Sequence, residues 1–369
     1  MAAESEPVLP AYGGACIDGL VHALLDRKWE VPGWIPARVA GAQQIVLLTL
    51  DGLGWEQLSA RPALAPTLCA MTGGPITTVA PSTTATALTS LTTGEPPARH
   101  GVVGYRVRVG GNEVLNVLRW RLPSGDAREA VPPGEFQDIE PFEGTRPPVI
   151  TRAEFAETGF TGAHLAGVRL HGWRMPSTLV TWVRRLLADG EPFVYAYYDG
   201  IDKVAHEYGI GSAYDDEVRA ADRLVADLLD VLPADAVLVV TSDHGQVDVG
   251  EKVVGLTPEV LDFTSLLSGE GRFRWLHARP GLEHRLIEVA RDLYGPLAWV
   301  REREEAVAEG WFGGPLSSDA TTRLGDVVLA PFEPVAFLDP ADLGEVRLRS
   351  RHGSLTSAEM LVPLLAAGR

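Results

Sequence analysis

Gln44-Ile-Val-Leu-Leu-Thr-Leu50 runs straight into Asp51-Gly-Leu-Gly54, and this junction decides the fold. A short apolar run closed by a carboxylate and two glycines reads as a buried strand that delivers an acid at its end. Two further runs repeat the arrangement. Phe193-Val-Tyr-Ala-Tyr-Tyr198 stops at Asp199-Gly-Ile-Asp202, and Ala236-Val-Leu-Val-Val-Thr241 stops at Ser242-Asp-His-Gly245. Between these two, Tyr214 to Leu232 sets Val218, Ala221, Leu224, Val225, Leu228 and Leu229 at helical spacing, which predicts a crossover helix. Apolar strands alternating with helices indicate an α/β chain with a mostly parallel central sheet and helices on both faces. In such sheets ligands sit beyond the carboxyl ends of the strands. Three strands therefore bring acids to one edge.

The remaining chain is organised around that sheet. Between Gly101 and Trp120, Tyr105–Val109 and Val114–Leu118 flank Gly110-Gly-Asn112, a hairpin pattern. A Pro/Gly-rich connector runs from Leu122 to Pro148, so 101–148 is expected as a hairpin-and-loop insertion. From about Gly255 to Asp339 the pattern is mixed, with a helix near Leu282–Tyr294 and strands near Phe273–Ala278 and Asp326–Leu329. That stretch is expected as an inserted cap region. No repeat, low-complexity tract or linker divides the chain, so 1–369 reads as one catalytic domain.

The chain has 369 residues, 32 basic against 49 acidic, for a net charge of −17. Only three lysines occur (Lys28, Lys203, Lys252), with no basic run, so long nucleic acid and anionic lipid are excluded as general partners. Any phosphate compound must be captured locally. Cys16 and Cys69 lack metal-site spacing. The amino-terminal residues lack a basic leader pattern, and no apolar stretch approaches the roughly 20 residues that span a bilayer. The expectation is a cytoplasmic protein with no membrane partner.

Asp51, Asp202, His206, Asp243, His244 and His352 each follow a strand or sit in a glycine-marked turn. Singly, each is an ordinary cap, turn former or structural histidine. Together they supply three carboxylates and three imidazoles, a donor set suited to two divalent cations. Asp202 and His206 are four residues apart and share one face of a helix. A second component is Ala80-Pro-Ser-Thr-Thr-Ala-Thr-Ala-Leu-Thr-Ser-Leu-Thr-Thr-Gly94, a helix opened by cap-forming Ser82, Thr83 and Thr84 and closed by Gly94. A hydroxyl at its positive end would meet a phosphoryl oxygen drawn to free backbone N–H groups. Arg106, Arg108, Arg119 and Arg121 are possible clamps, although their spacing fits a solvated hairpin face better.

This ordered set resembles the alkaline phosphatase superfamily, and within it the nucleotide pyrophosphatase/phosphodiesterase branch. The stretch from Leu91-Thr-Thr-Gly to His100-Gly-Val-Val-Gly-Tyr105 resembles actinobacterial phosphodiesterases that hydrolyse cyclic di-AMP. The resemblance implies an alkaline-phosphatase-like mixed sheet and two divalent cations, Mn2+ or Zn2+. It assigns Asp202, His206 and His352 to one cation, and Asp51, Asp243, His244 and Thr84 to the other. Thr84 becomes the nucleophile, with Thr83 the adjacent alternative, and a phosphothreonine forms on a small nucleotide phosphodiester such as cyclic di-AMP. Thr83, Thr86, Tyr105 and Tyr198 are the expected substrate contacts. Three carboxylates against two divalent cations leave one net positive charge before Thr84 ionises, enough for a compact diester. Phosphomonoesterase and phosphonate hydrolase chemistries occur on the same fold, and a metal-free nucleotide-binding protein is the non-enzyme alternative. Oligomeric state is not legible.

Overall fold

The computed structural model describes residues 6–25, 32–342 and 344–368. Seven strands form the central sheet: β1 (Gln44–Leu50), β2 (Thr72–Thr77), β3 (Pro148–Arg152), β4 (Arg169–Trp173), β5 (Phe193–Tyr198), β6 (Ala236–Thr241) and β7 (Leu361–Gly368), in the order β2-β7-β6-β1-β5-β3-β4. The three runs read as strands have the bounds expected of them. β1 pairs in parallel with both β6 and β5, so Thr49 lies opposite Thr241 on one side and Tyr197 on the other. β7 runs antiparallel to β6 and β2, which makes the sheet mixed.

Alternation along each strand divides the core in two. Ile45, Leu47, Tyr195, Tyr197, Val237 and Val239 face one apolar cluster, and Val46, Leu48, Ala196, Tyr198, Leu238 and Val240 face the other. Helix α1 (Thr84–Thr93) packs on the first face through Ala85, Ala87, Leu88 and Leu91. The predicted crossover helix covers the second face, starting and ending two residues earlier than expected, at Ser212 and Asp230. Among the described residues no helix is long and apolar enough to cross a membrane.

The hairpin is present as Arg106–Val109 paired with Glu113–Asn116, extended by two short strands to Asp126. Its turn works because Gly111 and Asn112 adopt positive φ, which those two residue types tolerate. The expected cap region contains a second, antiparallel sheet of Thr264–Glu270, Phe273–Ala278, Val327–Pro331 and Ala298–Glu302, with helix Glu283–Tyr294 packed on it. The opposite face of this sheet contributes Phe273, Trp275 and Val328 to the same cluster that holds α1.

A buried ion pair fixes the second sheet to the carboxyl-terminal segment. Arg272 lies at the hairpin turn, fully enclosed, and its Nε and Nη2 donate to Glu359 at 2.7 and 2.8 Å. The remaining guanidinium hydrogens meet the carbonyls of Glu333, Val335 and Pro331, and Glu359 also accepts from the Ser354 N–H and the Thr356 hydroxyl. Truncating one partner strands the other charge in a dry site, at a cost of about 3–5 kcal/mol. Arg272→Met should therefore shift the urea unfolding midpoint down by that equivalent; a loss under ~1 kcal/mol would show that the pair does not anchor the segment.

Candidate active site

Each carboxylate at the sheet edge is placed by the strand before it. The Asp51 N–H donates to the Tyr198 carbonyl and the Asp202 N–H to the Asp51 carbonyl, which locks the end of β1 to the loop after β5. Asp243 Oδ1 accepts from the backbone N–H groups of Gly52 at 3.2 Å and His244 at 3.1 Å, leaving Oδ2 buried without a partner. Asp51 is similar: Oδ2 accepts from the Tyr197 hydroxyl, and Oδ1 has none. The two glycines after these acids are required by close approach. A Cβ on Gly52, whose φ is +75°, would lie 2.8 Å from Gln246 Nε2, and one on Gly245 would lie 2.0 Å from the Ala358 carbonyl oxygen.

The three histidines are oriented alike. His206 Nδ1 lies 2.7 Å from the Ser350 carbonyl, His244 Nδ1 3.0 Å from that of Gly245, and His352 Nδ1 3.0 Å from that of Ser82. A carbonyl only accepts, so each Nδ1 carries the proton and each Nε2 presents a lone pair. Backbone-oriented imidazoles of this kind are typical metal ligands. His206 and Asp202 come from helix α2 (Gly200–Tyr208), with His206 Nε2 3.2 Å from Asp202 Oδ1. The rings of His244 and His352 stack at 3.5 Å.

Ligand atoms of Asp51, Asp243 and His244 lie within 4.8 Å of one another, as do those of Asp202, His244 and His352. His244 thus stands between two donor clusters, with His206 on the Asp202 side. All six expected ligands converge. The unpartnered buried oxygens of Asp51 and Asp243 and the three inward lone pairs fit divalent cations, which would satisfy every one of them. Electrostatics agree. Burial, followed by the nearby Asp243 and Asp202, holds the Asp51 carboxyl well above the usual range, while burial with His244 and His206 alongside pushes His352 well below an ordinary imidazole. Asp51, crowded by other acids, and His352, crowded by other imidazoles, mark a site short of positive charge.

Thr84 is the first residue of α1, and its hydroxyl donates to His244 Nε2 at 3.0 Å. Thr83 is the cap residue and makes no capping hydrogen bond. The Thr83 and Thr84 side chains share a cavity wall with Tyr105, whose backbone N–H donates to Glu270 at 3.1 Å. Two expected substrate contacts need correction. Thr86 is fully enclosed and offers a ligand no surface. Tyr198 faces the opposite side of the sheet, where it stacks on Trp173 and donates to Glu217. Strand alternation explains the error: adjacent tyrosines point to opposite faces, and it is Tyr197 that reaches Asp51. Sequence reading also missed Gln246, which donates to Asp202 Oδ1 at 2.5 Å; its position two residues beyond His244 was the available signal. Glu270 had no sequence signal, since only the second sheet's hairpin brings it here.

Two cavities meet at Thr84 and Asp202. One, of about 290 Å³, is largely apolar, with Leu88, Phe155, Phe160 and Leu165 in its wall. The other, of about 400 Å³, gathers the polar side chains of Tyr105, His206, Glu270, Arg351 and His352 in its wall, although most of its lining surface is carbon, as in the first. Leu118 and Arg119 of the hairpin insertion border both.

An α/β sheet whose strand ends gather a two-cation donor set around a helix-start hydroxyl defines a phosphoryl-transfer hydrolase of the alkaline phosphatase superfamily. Residues 45–355 match the type I phosphodiesterase/nucleotide pyrophosphatase family, and the chain belongs to it. Among solved structures it is similar to mouse ectonucleotide pyrophosphatase/phosphodiesterase 5, at 17% identity and a TM-score of 0.66 over 89% of this chain and 88% of that one. An inactive threonine-to-alanine variant of the mouse protein, in complex with AMP, aligns at 17% identity and a TM-score of 0.65 over 88% of each chain. Phosphonoacetate hydrolase from Sinorhizobium meliloti 1021, in complex with phosphonoacetate, aligns at 18% identity and 0.63 over 88% and 90%. No curated protein sequence matches significantly.

Because Asp51 must be ionised to bind a cation and its protonated form is favoured in the metal-free protein, cation uptake displaces a proton. Affinity of the chelator-treated protein for manganese or zinc should rise with pH above the ordinary carboxylate range. Calorimetry in buffers of different ionisation enthalpy should register proton release; pH-independent binding without release would contradict the assignment.

Proposed function

We propose that this phosphodiesterase cleaves a compact nucleotide diester by attack of the Thr84 hydroxyl on phosphorus. The observation that carries the reading is the Thr84 hydroxyl 3.0 Å from His244 Nε2, at the start of a buried helix and between two cavities. Asp202, His206 and His352 would hold one divalent cation, and Asp51, Asp243 and His244, with the Thr84 oxygen, would hold the other. Such cations, manganese or zinc, would supply positive charge to the phosphoryl oxygens and would lower the pKa of the attacking hydroxyl.

The chain's own groups do the rest. The Thr84 hydroxyl gives up its proton to solvent and forms an ester bond to phosphorus as the bond from phosphorus to the leaving oxygen breaks on the opposite side, and that oxygen leaves as an alkoxide that takes up a proton from solvent. Backbone N–H groups at the first turn of α1 receive the developing charge on a phosphoryl oxygen. Water then cleaves the phosphothreonine. Tyr197 and Gln246 act as positioning residues, holding Asp51 and Asp202. Thr83 and Tyr105 border the polar cavity and are the proposed substrate contacts.

Two cavities flanking one hydroxyl give a diester room for both of its organic groups. The apolar cavity, with Phe155 and Phe160, suits a nucleobase. A cyclic dinucleotide such as cyclic di-AMP, cleaved to the linear dinucleotide and then to AMP, is the preferred substrate. The complex of the inactive mouse relative with AMP supports a mononucleotide unit as the part retained.

The test is a hydrolysis panel of cyclic di-AMP, cyclic di-GMP, linear pApA, bis-p-nitrophenyl phosphate, p-nitrophenyl phosphate and phosphonoacetate, each with manganese or zinc. Preference for the simple monoester or the phosphonate would overturn the diester reading. Thr84→Ala and Asp202→Asn should each lower kcat by about 10³-fold or more while circular dichroism and unfolding midpoint stay close to wild type. Near-normal turnover in either variant would remove that residue from its role.

A further inference from the structure

Resting on the diester reading, we propose that the polar cavity is a second-phosphate subsite formed by Arg119 and Arg351, so that the preferred substrate carries a phosphate besides the one attacked. Of the four hairpin arginines, Arg106 is consumed by an ion pair with Asp339, and Arg119 alone borders both cavities. It is exposed, and no ion pair with a described carboxylate holds it there. Arg351 is the converse case. Its side chain is 3% exposed, yet Nη1 and Nη2 have no hydrogen-bond partner among the described residues. The nearest carboxylate, Glu345, stays 4.0 Å away and is already held by Arg274 at 2.7 Å and by the Gly271 N–H.

A buried guanidinium with two unsatisfied nitrogens is costly unless an anion completes it. Both nitrogens are enclosed as the side chain stands, and a turn of the guanidinium into the cavity it borders would bring them to such an anion. Planar guanidinium groups favour phosphate, which accepts two parallel hydrogen bonds. Three acids also border this cavity, and of these Asp202 belongs to the proposed cation site. Glu345 is neutralised by Arg274, and burial raises Glu270 to about 8, so it carries little charge near neutrality. Lys203 borders the cavity too, but it is paired with Asp199. Arg119 and Arg351 are thus the cations this lobe can offer an anion, whereas the other lobe carries Leu88, Phe155, Phe160 and Leu165 in its wall. A nucleotide unit with its base in the apolar lobe and its far phosphate in the polar one would span Thr84.

The experiment compares linear diadenylate with and without a 5′-phosphate, pApA and ApA, which share one scissile diester. Wild-type enzyme loaded with manganese should prefer pApA by about 10- to 100-fold in kcat/KM, as expected for one charge-assisted contact. Arg119→Gln and Arg351→Gln should each shrink that ratio at least ~5-fold, mainly through KM, and the ratio should fall as salt is raised. A wild-type ratio near one would overturn the proposal. So would equal losses on both substrates, which would make the arginines clamps on the attacked phosphate. Should Arg351→Gln fail to fold, the exposed Arg119→Gln decides. If wild type hydrolyses neither compound, the diester reading has failed. Calorimetric binding of pApA against ApA then judges the subsite by itself: tighter pApA supports it, and equal affinity overturns it.

Discussion

The register in which Gln44–Leu50 pairs with two parallel neighbours is the constraint on which the site depends. With Thr49 opposite both Thr241 and Tyr197, Asp51 emerges level with the loops that carry Asp202 and Asp243. A slip of one residue would turn every side chain of the strand to the opposite face and withdraw Asp51 from its partners. The slip is resisted because Ile45 and Leu47 belong to one core and Val46, Leu48 and Leu50 to the other. Two dry cores therefore hold a polar centre in place. The chemistry lies at the strand ends because only there does the alternation stop.

Crowding three carboxylates and three imidazoles at one edge works against stability, and the surrounding structure offsets it. Backbone amides take up one oxygen of Asp243, the Tyr197 hydroxyl takes one of Asp51, and Gln246 takes one of Asp202. His352 arrives from the far end of the chain. It is held by reciprocal hydrogen bonds between Ser82 and the Gly353–Ser354 backbone, and by the Arg272–Glu359 pair behind them. The second sheet is thus a structural support of the carboxylate–imidazole cluster as well as a wall of the cleft. It shares one hydrophobic cluster with α1, so perturbing the sheet reaches Thr84 through packing alone.

Much of this was legible because the informative residues sit at local discontinuities. Apolar runs that stop at an acid gave three strands with their correct ends, and the spacing of Asp202 and His206 placed them on one helix face. What escaped was tertiary. The choice between Tyr197 and Tyr198 depends on which face of the sheet covers the site, and a strand buried on both faces carries no such mark. Thr86 resembled a phosphate contact in a Thr-rich segment, but α1 is enclosed on all sides. Glu270 and Arg351 are brought together by the second sheet and a distant loop, for which the sequence offers only a mixed pattern.

Helix α1 has no solvent face: all ten of its residues are buried. The hydroxyls of Thr89, Thr92 and Thr93 bond back to the carbonyls of Ala85, Leu88 and Thr89. Such a helix cannot shift without repacking the interior. Adjustment to substrates of different size must then fall to the cleft walls, the hairpin bearing Leu118 and Arg119 and the second sheet bearing Glu270. Thr84 is the fixed point against which those walls move, so the shape of the cleft can change with the hairpin and the second sheet while the position of the Thr84 hydroxyl stays the same.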